Sequence, residues 1–316
     1  MIRERNLDPA LRAQIHGSMP GQAENLFVVK SGEAPEDYFR YKRPSDNVFQ
    51  TIAAAFSSAV SCRNDTLIIT PGSHSLGASL TWNKNNTHMI GSYYGAVDGI
   101  RNRIGMGTTF TPMVTVSGHS NTFANLYSMH GTATGDSMGW RITGARNLFH
   151  RVNFGGPFNA TQAGNVGYEG ISVEGTLCSF EQCVIGTDNQ ARDTSNVSMT
   201  LAAGTHTTLR DCDFLALISD ANVLFINVEN TTTTHARIHG CLFMAVNANW
   251  ATSMATAIGF TSGSTAGIVI DPGCLLVNVD QWCSAANDQY GVWTPIFADL
   301  TDADNILRAT RKSFTT

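Results

Sequence analysis

Three stretches, Phe180-Glu181-Gln182-Cys183-Val184-Ile185, Leu209-Arg210-Asp211-Cys212-Asp213-Phe214 and Ile238-His239-Gly240-Cys241-Leu242-Phe243, decide how this chain folds. Each reads apolar, two residues, cysteine, one residue, apolar, and the cysteines stand 29 and 29 residues apart. The pattern extends backwards to Phe149, Val152 and Phe154, then to Phe123, Leu126 and Ser128, through steps of 31 and 26 residues. A repeat of 26 to 31 residues is the mark of a solenoid, in which each repeat buries its apolar face against its neighbours.

A second column precedes the first. Val116-Ser117-Gly118, Ile142-Thr143-Gly144, Val173-Glu174-Gly175, Ala202-Ala203-Gly204 and Val228-Glu229-Asn230 each end a short β-branched or apolar run in Gly or Asn. Those residue types tolerate positive φ, so a left-handed corner is expected there, lengthened at Thr231–Thr234. Asn121 and Asn147 recur at one corner position and are expected to hydrogen-bond along the axis. Strands of this kind, stacked at about 4.8 Å, predict an all-β chain: a single-stranded right-handed parallel β-helix with a short N-terminal arm and capping helices. Each inward Phe, Leu or Ile contributes roughly 1.5–3 kcal/mol when buried.

Composition agrees. Charged residues are only 14% of 316, while apolar residues are 42%, against roughly 25% charged in an ordinary soluble domain. A helical bundle would lack charge for its outer faces. Apolar runs such as Val223–Val228 are far shorter than the ~20 residues of a membrane helix. Met1–Asn6 and the residues after them have no apolar core, so no secretory signal is expected. A net charge of −5 provides no basic stripe for nucleic acid. The seven cysteines form no C-x-x-C pair, so buried free thiols are expected rather than zinc or disulfides.

The ends divide the chain into an arm (1–45), a β-helix with its capping helix (46–285) and a C-terminal cap and tail (286–316). Ser45 or Asp46 is the expected N-cap of a helix running to about Val60, with Phe49, Ile52 and Phe56 on its apolar face. A strand, Thr66–Thr70, and a Pro71-Gly72 turn follow. A second helix is expected from Asp302 to about Arg311. In the arm, Asp8 caps two turns of helix with Leu7, Leu11 and Ile15 on one side and Arg3, Arg5 and Arg12 around it. So short a helix is marginal alone, and these six residues are the candidate partner-binding set.

From the capping helix through the rungs, over roughly residues 46–285, the chain resembles pectate-lyase-like β-helix proteins. The resemblance specifies a fold and raises the question of polysaccharide lyase or glycosidase activity. Lyases of this type use clustered carboxylates with an Arg or Lys base, and glycosidases use two carboxyls about 5–9.5 Å apart. Along one register Glu181, Arg210 and His239 alternate as a solvent-facing ladder. Asp211 and Asp213 have no acidic counterparts one rung away, and Asp188 lacks a partner pair. His206 and His235 stand one rung apart without a third ligand, and are expected to be corner histidines sharing hydrogen bonds. No catalytic, cofactor or metal residue is therefore expected, and the chain reads as a non-enzyme.

A β-helix with extra arms is similar to bacteriophage virion proteins, and that resemblance implies a building block. The expected role is a structural protein of a tailed phage virion, assembled in the host cytoplasm. It would attach to the major capsid protein or another virion subunit through the arm, and self-associate, a trimer being one form. No membrane or nucleic-acid partner is expected. The alternative is a tail spike that binds or cleaves surface polysaccharide, with Tyr93, Tyr94 and Trp250 as sugar-stacking aromatics.

Overall fold

The computed structural model describes residues 25–28, 48–92, 102–106, 111–283 with short breaks, 292–293 and 307–308. The chain coils through three sheets of eleven, nine and seven strands, in which hydrogen-bonded neighbours are three strands apart in sequence through the body of the stack. It passes from the first sheet (Thr66–Ile69) to the second (Gly72–Leu76) and the third (Leu80–Trp82), then returns one level up at His88–Gly91. Pairing is parallel throughout the body of the stack. The expected parallel β-helix is what forms.

The columns read from sequence are the registers of the sheets. Phe123, Phe149, Phe180, Leu209, Ile238 and Ile270 stack along the first sheet. Ile104, Ser128, Phe154, Ile185, Phe214, Phe243 and Leu276 stack along the second. Phenylalanines one level apart lie face to face, Phe149 on Phe180 at 4.7 Å and Phe214 on Phe243 at 4.5 Å between ring centroids. Ser128 is the polar member of its column because Trp140 Nε1 donates to its Oγ at 2.8 Å. Cys183, Cys212 and Cys241 form a buried inward line as expected, and Cys274 continues it. All seven cysteines are free, and only Cys62 is exposed.

Between the first and second sheets a single left-handed residue turns the chain: Asn125, Arg151, Gln182 and Asp211 have φ of 55, 54, 53 and 52°. Their amides still donate along the axis, Gln182 to Arg210 O at 2.9 Å and Asp211 to His239 O at 2.8 Å. The corner is thus saturated from level to level, which offsets the backbone strain.

At the third corner the expectation is corrected. Gly118, Gly144 and Gly175 do not have left-handed φ; the left-handed residues are Ser120, Arg146 and Leu177, two positions later. These glycines are required by close approach instead. A Cβ on Gly144 would land on the carbonyl oxygen of Gly118, and one on Gly175 on that of Gly144. The asparagine line does form: Asn121 Oδ1 accepts from Thr87 N and Asn147 Oδ1 from Asn121 N, both at 2.9 Å.

The ends also differ from expectation. The capping helix is Ile52–Ser58, with Thr51 as N-cap, and Val48–Phe49 is a strand beside Asn25–Val28. Phe49 therefore belongs to the first sheet, and Ser45 and Asp46 lie outside the described residues. Phe56 stacks on Trp82 at 4.2 Å. Lys84 Nζ donates to the carbonyls of Phe56, Ser57 and Ala59, satisfying a helix C-terminus that has no basic residue of its own. Asn25–Val28, assigned to the arm, pairs with Thr66–Ile69 and is a strand of the first sheet. The expected helix around 302–311 is contradicted at Leu307–Arg308, a strand antiparallel to Leu275–Leu276 at the end of the second sheet. Among the described residues no helix is long and apolar enough to cross a membrane.

Candidate functional site

Arg3, Arg5, Leu7, Leu11, Arg12 and Ile15 lie outside the described residues, as do Tyr93, Tyr94 and Trp250. The first-sheet ladder is present. Glu181 sits between His150 at 3.8 Å and Arg210 at 3.7 Å, and Asp271, which sequence reading passed over, takes His239 at 3.0 Å and Arg237 at 2.9 Å. The two Glu181 pairs are long and partly exposed, so each contributes under ~1 kcal/mol.

The outer face of the third sheet holds the acids that a search along single registers missed. Arg141, Ser172, Thr200 and Asn227 are one column, and glutamates gather around it. Arg141 donates twice to Glu174, at 2.6 and 3.1 Å. Thr200 Oγ1 donates to Glu169 Oε1 at 3.1 Å, and Asn227 Nδ2 to Glu229 Oε1 at 3.4 Å. Ser172 and Thr200 are buried beneath these longer side chains. Burial raises the pKa of Glu169; the Thr200 hydrogen bond opposes this, and the charges of Glu229 and Glu174 add to it. A carboxyl whose pKa is raised by burial beside two further glutamates has the bias that acid catalysis requires. Glu169 shares a register with Val197 and Leu224, so it heads no acidic column. The polar column Arg141–Ser172–Thr200–Asn227 was the available signal.

A second polar group lies inside, where the second sheet turns into the third. His130 Nε2 donates to Gly170 O at 3.2 Å, so its Nδ1 accepts from the Tyr168 hydroxyl at 2.7 Å. Arg192 is 0% exposed and donates to Ser198 Oγ at 2.8 Å and Gly156 O at 2.7 Å. Its Nε is without a partner, and no ion pair joins it among the described residues. Burial lowers Arg192 to about 10 and, with the Arg192 charge adding, lowers His130 to about 4. Glycines make the room: a Cβ at Gly139 or Gly156 would enter the His130 ring. This cluster is closed to solvent, so it orders the corner and does not meet a solute.

His206 and His235 are in register on the first sheet, with ring centroids 4.9 Å apart. They share no hydrogen bond, contrary to expectation, and no group of three potential metal ligands occurs among the described residues.

These features define a right-handed parallel β-helix. A pectin methylesterase solved with a hexasaccharide is similar at a TM-score of 0.55 and 14% identity, over 83% of this chain and 82% of that one. The pectin methylesterase of Aspergillus niger is similar at 0.52 and 12% identity, over 89% and 93%. A Geobacillus virus E2 protein, ORF18, is matched at 0.37 and 13% identity, over 74% of this chain and 54% of that one. No family model matches the chain, and no curated protein is similar to it. The expectation of a non-enzyme is corrected by these neighbours. The two pectin methylesterases are enzymes, so the fold is one that supports catalysis.

Proposed function

We propose that this chain processes polysaccharide on the outer face of its third sheet, with Glu169 as proton donor to the leaving oxygen. The observation that carries the reading is the gathering of three glutamates around one polar column, Glu169 bonded to Thr200, Glu174 to Arg141 and Glu229 to Asn227, with burial raising the pKa of Glu169. Glu229 or Glu174 then stands as the carboxylate that directs water or steadies positive charge. That the similar pectin methylesterase was solved with a hexasaccharide is consistent with a glycan ligand.

In this reading the protein is carried on a bacteriophage virion as a spike. Residues 1–24 form its attachment to the capsid or another virion subunit, and copies self-associate. The cationic and apolar residues Arg3, Arg5, Leu7, Leu11, Arg12 and Ile15 support that part.

The test is incubation of the purified chain with bacterial surface polysaccharides and pectin. New reducing ends would report glycosidic cleavage, and released alcohol or acid would report ester cleavage. Glu169→Gln should lower turnover at least ~100-fold with an unchanged far-UV spectrum. No product from any substrate, or full activity in Glu169→Gln, would end the proposal.

A further inference from the structure

We propose that His206 and His235 form a binding site for a divalent transition-metal ion of the zinc, copper or nickel type, a proposal independent of the glycan reading. The two histidines are paired across neighbouring parallel strands, and their rings lie 4.9 Å apart with a 43° tilt. Neither ring makes a hydrogen bond among the described residues. All four ring nitrogens are thus uncommitted, unlike those of His130, His88 and His74, whose rings bond within the protein.

The position one level further on favours a ligand. Gly267 is in register with His235, and a Cβ there would lie 2.7 Å from His235 Nδ1. Glycine therefore lets the His235 ring lie over the next strand, where any other side chain would press on Nδ1. Charge does not oppose a cation strongly. Arg237, two residues along the same strand, is paired with Asp271 at 2.9 Å, and Arg210 with Glu181 at 3.7 Å.

Imidazole nitrogens suit zinc, copper and nickel, whereas calcium and magnesium require oxygen. Rigid strands hold both rings side by side before binding, so little side-chain freedom is lost when an ion bridges them. No third protein ligand joins the pair among the described residues, and water completes the coordination. The ion would clip one coil to the next on the outside of the sheet, beside the Arg237–Asp271 pair.

The experiment is a calorimetric titration of the untagged full chain, stripped with chelator, using zinc and then copper chloride. One ion should bind per chain and raise the melting temperature. His206→Ala and His235→Ala should each weaken binding at least ~10-fold, and Gly267→Ala should weaken it by crowding Nδ1. His239→Ala, which removes the neighbouring Asp271-paired histidine, should leave it unchanged. No saturable binding below ~1 mM, or binding that survives in the doubly substituted chain, would overturn the site. Both histidines face outward, so the variants should fold, and unchanged far-UV spectra would check this.

Discussion

His130 shows at the scale of one residue what burial does to a titrating group. In an unfolded chain it takes a proton near its ordinary 6.5, and in the fold only near 4. Between those values the unfolded state binds more protons, so stability rises with pH and is lost as pH falls from 6.5 toward 4. The shift corresponds to about 3 kcal/mol, and His88, also lowered to about 4 by burial, acts in the same direction. Denaturant midpoints should therefore fall steadily from pH 7 to 4.5, and His130→Gln should flatten that fall. Glu169 has the opposite sign: its proton is held more tightly in the fold, so ionisation above its unfolded value removes stability. Glu169→Gln should steepen the rise with pH, which is a folding readout separate from activity. Apolar positions divide just as sharply. Phe214→Ala, which empties the space beside Phe243, should reduce stability by about 3–5 kcal/mol. The outward Arg210→Ala should change it by under ~1 kcal/mol. Equal effects in melts would contradict the alternation of faces.

At the scale of elements, the corners set the geometry. The stacked glycines 118, 144 and 175 let one turn sit directly on the last, so Gly144→Ala must push apart two levels of backbone. A loss of about 1–3 kcal/mol is expected. Gly77→Ala, with nothing within 4 Å of the added carbon, should be nearly neutral. The cysteine line makes the other corner. Cys212 Sγ donates to Phe180 O at 3.4 Å, Cys183 Sγ to Phe149 O at 3.4 Å, and Cys274 Sγ to Ile238 O at 3.6 Å. Hydrogen bonding with Cys212 and burial push the Cys241 thiol up to about 12, so it is protonated and unreactive at neutral pH. Thiol reagent should label one cysteine, Cys62, in the native protein and all seven after denaturation. Rapid native labelling of more than one would mean the inward line is open. That line was legible because its residue type repeats at a constant step. The reason for the glycines was not, since Gly is compatible equally with a left-handed turn and with a close approach.

For the whole molecule, stability is shared along one axis. Each coil contacts its neighbours, so the ends decide whether the stack closes or pairs with another. Asn25–Val28 lies in the first sheet between Val48–Phe49 and Thr66–Ile69, which revises where an attachment arm can begin. Deleting residues 1–24 should leave the melting temperature nearly unchanged while preventing incorporation into particles. Deleting 1–30 removes the strand, exposes the edge of Thr66–Ile69 and should lower the melting temperature and promote self-association. Similar melting of the two truncations would show that the first strand adds nothing to the stack.

The sequence by itself determined the coil, because closing a turn of β-helix returns each inward position to the same place and so repeats residue type. Phe180, Leu209 and Ile238 could be placed in one column for that reason, and Glu181, Arg210 and His239 in the next. Only the tertiary structure decided what lies diagonally across columns. Glu169 reaches Thr200 one level up and feels Glu174 and Glu229 at other registers, and Arg192 is held beside Gly156 from 36 residues away. Those meetings depend on side-chain length, on bulges and on how far each loop carries the chain, none of which a period in one dimension records.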